Sequence, residues 1–374
     1  MKPIIKATAT PLASIFGSGF LVIVPILAGS VGPYSVLAMA CVCAVAYAVG
    51  SVIRFNIKNA EPILADRPGE ATLALERSSD LALVIAYVVS VCLYLHILSA
   101  FVLSGLGADN PVNEDLLTSV VIVLITIIGV VKGLDVLDSL EQWALYVTLA
   151  IIAVLIVGFA VGDWTAWRSA SGLTMIKALD HSPWEILTIV AGTLIVVQGF
   201  ETPRYLGAQF PAELRVRASR WAQMFSTVVY LAFVALALPL LHTLNGKYDD
   251  DSLIALVGVV SGLLVAPLIV AAVLSQFSAA VADTLAAIGN LSEATHGHLT
   301  SKWGCLLVGG GALALTWSGS TYEILALASR AFAFYYLMQC LVAISVSRSM
   351  VQRLGMGLLA IALGFITVFA VPAS

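Results

Sequence analysis

Apolar runs of about 20 residues recur along almost the whole length of this chain, separated by short polar stretches. A run of that length carries one helix across a hydrocarbon core about 30 Å thick. In lipid every backbone polar group must be satisfied within the fold, which leaves only helices and closed barrels. The alternating pattern of a barrel strand is absent. The chain therefore reads as an all-α polytopic membrane protein embedded in a lipid bilayer. Composition agrees, with 60% of the 374 residues hydrophobic and 11% charged, where soluble domains carry about 25% charged residues. The net charge of −4 says little when most of the surface faces lipid, and no feature points to nucleic acid.

Eleven spans are predicted, at about 8–30, 34–54, 78–106, 116–132, 141–161, 185–210, 219–241, 254–287, 303–317, 321–346 and 355–372. No linker is long enough for a soluble domain, so residues 1–374 are expected to form one transmembrane domain. Lys2 and Lys6 precede the first apolar stretch as in a signal peptide, but no polar mature domain follows, so that helix is expected to be retained. With the N-terminus in the cytoplasm, fourteen of the 18 basic residues fall on the cytoplasmic side. Only Arg168, Lys177 and Lys247 fall outside, and Arg330 lies within a span. Positive charge marks the inside, which predicts a protein of the cell (inner or plasma) membrane. An odd number of crossings then puts the C-terminus outside. The five cysteines, Cys41, Cys43, Cys92, Cys305 and Cys340, all sit in apolar runs and are read as small core residues.

The midpoints of spans 1–5 and of spans 6–10 are offset by about 180 residues throughout, with repeats at about 8–161 and 185–346. Five is odd, so the second repeat enters the membrane from the other side. That is the plan of many secondary transporters, whose sites lie where matching helices are interrupted. Both repeats open on such a helix. The first reads ATATPLASIFGSGFLVIVPILAG, with Gly17, Ser18 and Gly19 in the middle. The sixth reads ILTIVAGTLIVV and then QGFETPRYLG. Its apolar part, Ile186 to Val197, would make only about 18 Å of helix, too short to cross. Thr202 before Pro203 is expected to cap a second half-helix, and Ser18 to cap the outer half of span 1. Two half-helix N-termini would face each other near mid-membrane and suit an anionic group, while unwound carbonyls suit a cation or an ammonium. On this reading Glu201 sits at a break. In the alternative, span 6 ends there and Glu201 pairs with Arg204 at the interface.

Ile15-Phe16-Gly17-Ser18-Gly19-Phe20, with Gly32-Pro33 at the next turn, resembles the first-helix G-S-G signature of amino acid–polyamine–organocation (APC) superfamily transporters. Gln198-Gly199-Phe200-Glu201 resembles the G-F-E motif of their sixth helix. The resemblance covers roughly residues 8–346. It implies a LeuT-like fold, a 5+5 inverted repeat of transmembrane helices plus an eleventh helix. It also implies a small-molecule substrate, an amino acid or amine, carried by protons, sodium or exchange and bound against the unwound parts of helices 1 and 6. Gly17, Ser18, Gly19, Phe20, Gly199, Phe200, Glu201 and Thr202 become substrate-binding candidates, with Phe200 an aromatic wall or gate. The chain departs from the family in its length and in having no lysine on helix 5. The D-P-G-N and M-P-H motifs of the metal-transporting branch are absent, which argues against a divalent-metal carrier.

Ionisable residues inside spans are functional candidates by default. Span 8 carries Ser275, Ser278, Asp283 and Thr284. Ala280, Asp283 and Thr284 stand at i, i+3 and i+4, so a carbonyl and two side-chain oxygens would converge. Sodium-coupled relatives use such a pattern opposite helix 1, so the resemblance makes these three a candidate sodium site, with Ser275 and Ser278 as the fallback pair. The other reading is a wetted cytoplasmic end. Span 3 carries Tyr94, His96 and Ser99, with Tyr94 facing the substrate or packing against neighbouring helices. Span 10 carries Arg330, with Glu323, Asp283 or Glu201 as candidate partners, and Tyr335, Tyr336 and Gln339 on a cytoplasmic route. Gly309, Gly310 and Gly311 are read as close-packing residues. No Walker motif exists to support an ATP-driven pump, and no convergent nucleophile or metal cluster supports an intramembrane enzyme. The expected activity is secondary active transport with Na+ or H+, with no cofactor beyond a bound Na+. A substrate sensor or channel without coupled transport is the alternative. The oligomeric state cannot be read from the sequence.

Overall fold

A computed structural model describes residues 3–17, 19–66, 68–131, 135–168, 180–207, 209–244, 246, 248–295 and 298–372. Span 1 is two helices, α1 (Pro3–Gly17) and α2 (Ile23–Val31). Spans 2 to 5 are α3 (Ser35–Asp66), α4 (Glu70–Leu106), α5 (Pro111–Val131) and α6 (Asp135–Arg168). Span 6 opens with α7 (Pro183–Ala191) and continues as two 3-10 turns, Leu194–Val197 and Thr202–Leu206. Span 7 is α8 (Ala212–Ala237). The last spans are α10 (Val265–Ala294), α11 (Ser301–Thr316), α12 (Thr321–Val346) and α13 (Met350–Phe369).

Span 8 differs from expectation at its start. Residues 254–260 belong to a separate short helix, α9 (Ser252–Val260). Ser261 is extended (ψ 125°) and its side chain accepts the Leu263 amide, so the backbone turns before α10 begins. Apolar content alone does not reveal that corner. Nine helical segments of the described residues are long and apolar enough to cross a membrane. The broken span 1 and the 16-residue α11 fall short of that length, and α2 is counted there with α3.

α4 is the central element, packed mainly against α10 and α12. It is buried on nearly all sides from Ala82 to Phe101, and so it reads as uniformly apolar. The pairings α6–α10 and α12–α4 exchange when spans 1–5 are swapped for spans 6–10, while α4–α10, α5–α11 and α3–α8 map onto themselves. This is the contact pattern of an inverted repeat. In α11, Gly309 lies against Thr126 of α5 and Gly311 against Val88 of α4, so two of the three glycines serve close packing. α13 lies outside the repeats and packs on α12.

Candidate functional site

Both interruptions are present. α1 stops at Gly17 and α2 starts at Ile23. Between them Gly19 has φ +112°, a conformation that side chains rarely adopt. Its amide donates to Gly17 O at 3.0 Å and its carbonyl accepts the Val22 amide at 3.1 Å. Ser18 and its expected capping role lie outside the described residues. In span 6 the helix ends at Ala191, six residues before the end of the apolar run at Val197. A Cβ on Gly192 would stand 2.6 Å from Val371 O, and Thr193 Oγ1 donates back to Val190 O at 2.7 Å. Ser329 of α12 bridges the gap, donating to Gly192 O and accepting the Ile195 amide. The chain is then extended through Gln198 (ψ 167°) to Gly199, at φ +118°.

Thr202 does not cap a second half-helix. Its hydroxyl donates to Gly199 O at 2.9 Å, and the segment after the break is a five-residue 3-10 turn. Proline at its second position lacks an amide, but the turn is too short to present the N-terminus expected there. The two breaks touch. A Cβ on Gly199 would lie 2.7 Å from Ile15 N and from Ser14. One on Gly17 would strike Ala279 of α10 and lie 3.1 Å from Ser275 O. Glycine at both positions permits the approach.

Glu201 is fully buried at the end of the second break. Its Oε2 accepts the Gly199 amide at 2.9 Å and the Tyr336 hydroxyl at 2.8 Å. No described residue bonds Oε1. Leaving a buried acceptor unpaired costs about 1–3 kcal/mol, and more for a charged one. Glu201 does not pair with Arg204, which lies one turn on and is held by Glu76 of α4. Around the carboxylate is an aromatic wall. Phe200 stacks on Tyr336 (centroids 5.2 Å, planes 20° apart), which also touches Tyr335 and Phe332, and Tyr87 meets Phe332 edge-on.

α4 brings Tyr87, Ser90 and Tyr94 to one face at i, i+3 and i+7. Tyr94 accepts Gln198 Nε2 at 2.5 Å, so it faces the second break. Ser90 donates to Asp283 Oδ2 of α10. Asp283 is fully buried, against the reading of a wetted helix end. Of the candidate sodium set, Thr284 Oγ1 donates to Ala280 O at 2.7 Å, which keeps those two oxygens side by side, and Asp283 Oδ2 accepts the Ser90 hydroxyl of α4. Ser275 is nearer the first break, its carbonyl beside Gly17 and its hydroxyl bonded to Ala272 O at 3.2 Å. Ser278 is buried on the same helix. Phe20 packs on Tyr230 and Phe233.

Toward the face that carries the N-terminus, the site is closed by polar side chains. Besides Arg204–Glu76, Arg215 of α8 makes a two-pronged pair with Glu61 of α3 and donates to Arg204 O at 3.0 Å. Gln339 donates to Ser79 at 2.7 Å and accepts from Asn56 at 2.8 Å. On the opposite face Tyr248 covers Gly29 and its carbonyl accepts the Tyr322 hydroxyl. Arg330 pairs with none of its three expected carboxylates. Its Nε donates to Ala370 O, the carbonyl end of α13, at 2.7 Å, while Glu323 completes a capping box with Ser320. His96 stands 4.0 Å from Asp115 of α5, away from the breaks. The sequence reading missed Glu76, Ser90, Gln339's partners and Tyr230. The i, i+3, i+7 polar face of α4 was the available signal for Ser90.

A family model described as an APC superfamily transporter matches residues 1–370. The chain belongs to the APC superfamily of transporters. An uncharacterized protein of Aquifex aeolicus (strain VF5) is 39% identical over 359 residues, 94% of this chain and 86% of that one. Among solved structures, a mutant manganese transporter of Eremococcus coleocola is similar at a TM-score of 0.61 and 11% identity, covering 97% of this chain and 85% of its own. Mhp1, a nucleobase-cation-symport-1 family transporter with bromovinylhydantoin bound, is similar at a TM-score of 0.54 and 15% identity, covering 90% and 77%. At these identities the likeness speaks for the fold, which is LeuT-like. The APC chain is thus an integral membrane transporter, and its family and fold neighbours are not enzymes.

Proposed function

We propose that this APC chain is a secondary active transporter of a small organic solute bearing an amino group, an amino acid or an amine. Substrate binds between the two breaks, with its ammonium on Glu201 and its body against Phe200 and Tyr336. The observation that carries this reading is the Glu201 carboxylate, fully buried, with one oxygen fixed by two donors and the other bonded by no described residue. A buried charge needs a partner, and a substrate ammonium or a proton supplies one. Gly17, Gly19, Phe20, Tyr94, Gly199 and Thr202 shape the rest of the site; Ser18, also expected to contribute, lies outside the described residues.

Coupling is to H+ or Na+. A proton reading rests on Glu201, the fully buried carboxylate with one oxygen bonded by no described residue. A sodium reading rests on a different observation, the Ser275 carbonyl beside Gly17, with Ser278 and Asp283 further along the same helix. The whole chain acts as one transport domain of the cell membrane, with the N-terminus cytoplasmic and the C-terminus outside.

The test is a thermal-shift screen of the purified protein with amino acids, amines and small carboxylates, each with and without Na+ at two pH values. Specific binding stabilises by mass action, about 2.7 kcal/mol at a hundredfold excess over Kd. An amine or amino acid hit that varies with pH and disappears in Glu201→Gln supports the proposal. A hit that needs Na+ and survives Glu201→Gln moves coupling to α10. Hits confined to compounds without an amino group sink the substrate assignment.

A further inference from the structure

Tyr230 lies on α8, outside both broken spans, yet it touches both breaks. Its ring lies flat on Phe16, centroids 5.9 Å apart and planes 7° apart, and edge-on to Phe20 at 5.2 Å. Its hydroxyl is 2.9 Å from the carbonyl oxygen of Ile15 and 2.6 Å from that of Val196. Ile15 stands two residues before α1 ends, and Val196 two residues before the extended Gln198. One oxygen on a third element thus sits where carbonyls of the two interrupted segments converge. A phenol has one hydrogen, so the two carbonyls share it or take it in turn. Neither segment can withdraw without handing the whole bond to the other.

α8 makes a second hydroxyl contact with the breaks, and it provides a control. Ser219 donates to Phe200 O at 3.1 Å and so holds the sixth span alone. Direct contact of Gly199 with Ser14 and Ile15 brings the two segments together by shape. Tyr230 adds the hydrogen bond that spans them.

We infer that Tyr230 is a positioning residue of the carrier, whose hydroxyl ties the first-span break to the sixth-span break so that the two open together. The consequence for transport rests on the reading of the breaks as the substrate site. The coupling itself does not, and the test is made without substrate.

Amide hydrogen exchange is followed by mass spectrometry on the full chain in lipid nanodiscs, for the wild type, Tyr230→Phe and Ser219→Ala. Tyr230→Phe keeps the ring contacts and is expected to fold. It should speed exchange about tenfold, the equivalent of roughly one net hydrogen bond, in peptides covering both 15–24 and 194–201. Ser219→Ala should speed exchange only in the sixth-span peptides. Tyr230→Phe acting on one segment alone, or on neither, overturns the inference. If that variant does not fold, the wild type is titrated with denaturant. Both segments should then lose protection at one concentration while α8 remains protected, and separate transitions overturn the inference. A chain that carries nothing yet exchanges as one unit would remove the proposed function and leave the coupling. Transport with independent exchange would do the reverse.

Discussion

Arg204 and Glu76 show how much a single pair can control at this depth. Both side chains are largely buried, and the pair ties the turn after the second break to α4. Removing one partner of a buried pair leaves an uncompensated charge and costs about 3–5 kcal/mol, whereas replacing both by apolar residues is often neutral. Glu76→Leu and Arg204→Met should each lower the unfolding midpoint in detergent by several degrees, and the double variant should recover most of that loss. A double variant as unstable as the sum of the two singles would mean the residues act independently. None of this pairing was visible in the sequence, because Glu76 and Arg204 are 128 residues apart and only the closed helix packing brings them together. Glu201 was visible for a local reason: a carboxylate after an apolar run too short to cross must sit at an interruption. Thr202 shows the limit of that logic. The residue types of a cap were present, but the hydroxyl found the nearer Gly199 carbonyl.

At the scale of elements, α7 is the piece least able to hold its own position. It is nine residues long, and helices that short depend on tertiary contacts. Its N-terminus is fixed by a Ser182–Glu185 capping box. Its outer face is clasped by α13, where Trp184 meets Phe365 and Phe369 edge-on at 5.7 and 5.5 Å. Its far end is held where the Val371 amide donates to Thr188 O at 3.2 Å. Arg330 fixes that tail through Ala370 O. A charge-assisted hydrogen bond contributes about 1.5–3 kcal/mol, so Arg330→Met should loosen α7 as well as α13. Limited proteolysis or exchange should find both 183–191 and 366–372 less protected. Protection lost only in the C-terminal peptides would mean that the tail follows α7 and does not hold it. The existence of α7 and α13 was legible from their apolar runs. Their clasp was not, since Arg330 was weighed against carboxylates and a backbone carbonyl has no sequence signature.

The molecule as a whole pairs two five-helix repeats around α4 and α10, and that pairing carries a topological commitment. If the repeats are inverted, equivalent loops lie on opposite sides of the membrane. The loop after span 1, at Tyr34, then faces away from the N-terminus, and its equivalent after span 6, at Gln209, shares the N-terminal side; both residues are exposed. The basic residues fix which side is which. In a background without the native cysteines, a cysteine at 209 should be labelled by an impermeant thiol reagent only in inside-out vesicles. One at 34 should be labelled only in intact cells. Labelling of both from one side would break the inversion and with it the argument that matching interruptions mark one shared site. Labelling on opposite sides but in the reverse sense would keep the fold and the site, and would turn only the transport direction around. The two outcomes separate because inversion comes from helix pairing inside the protein, while orientation comes from charge at its edges.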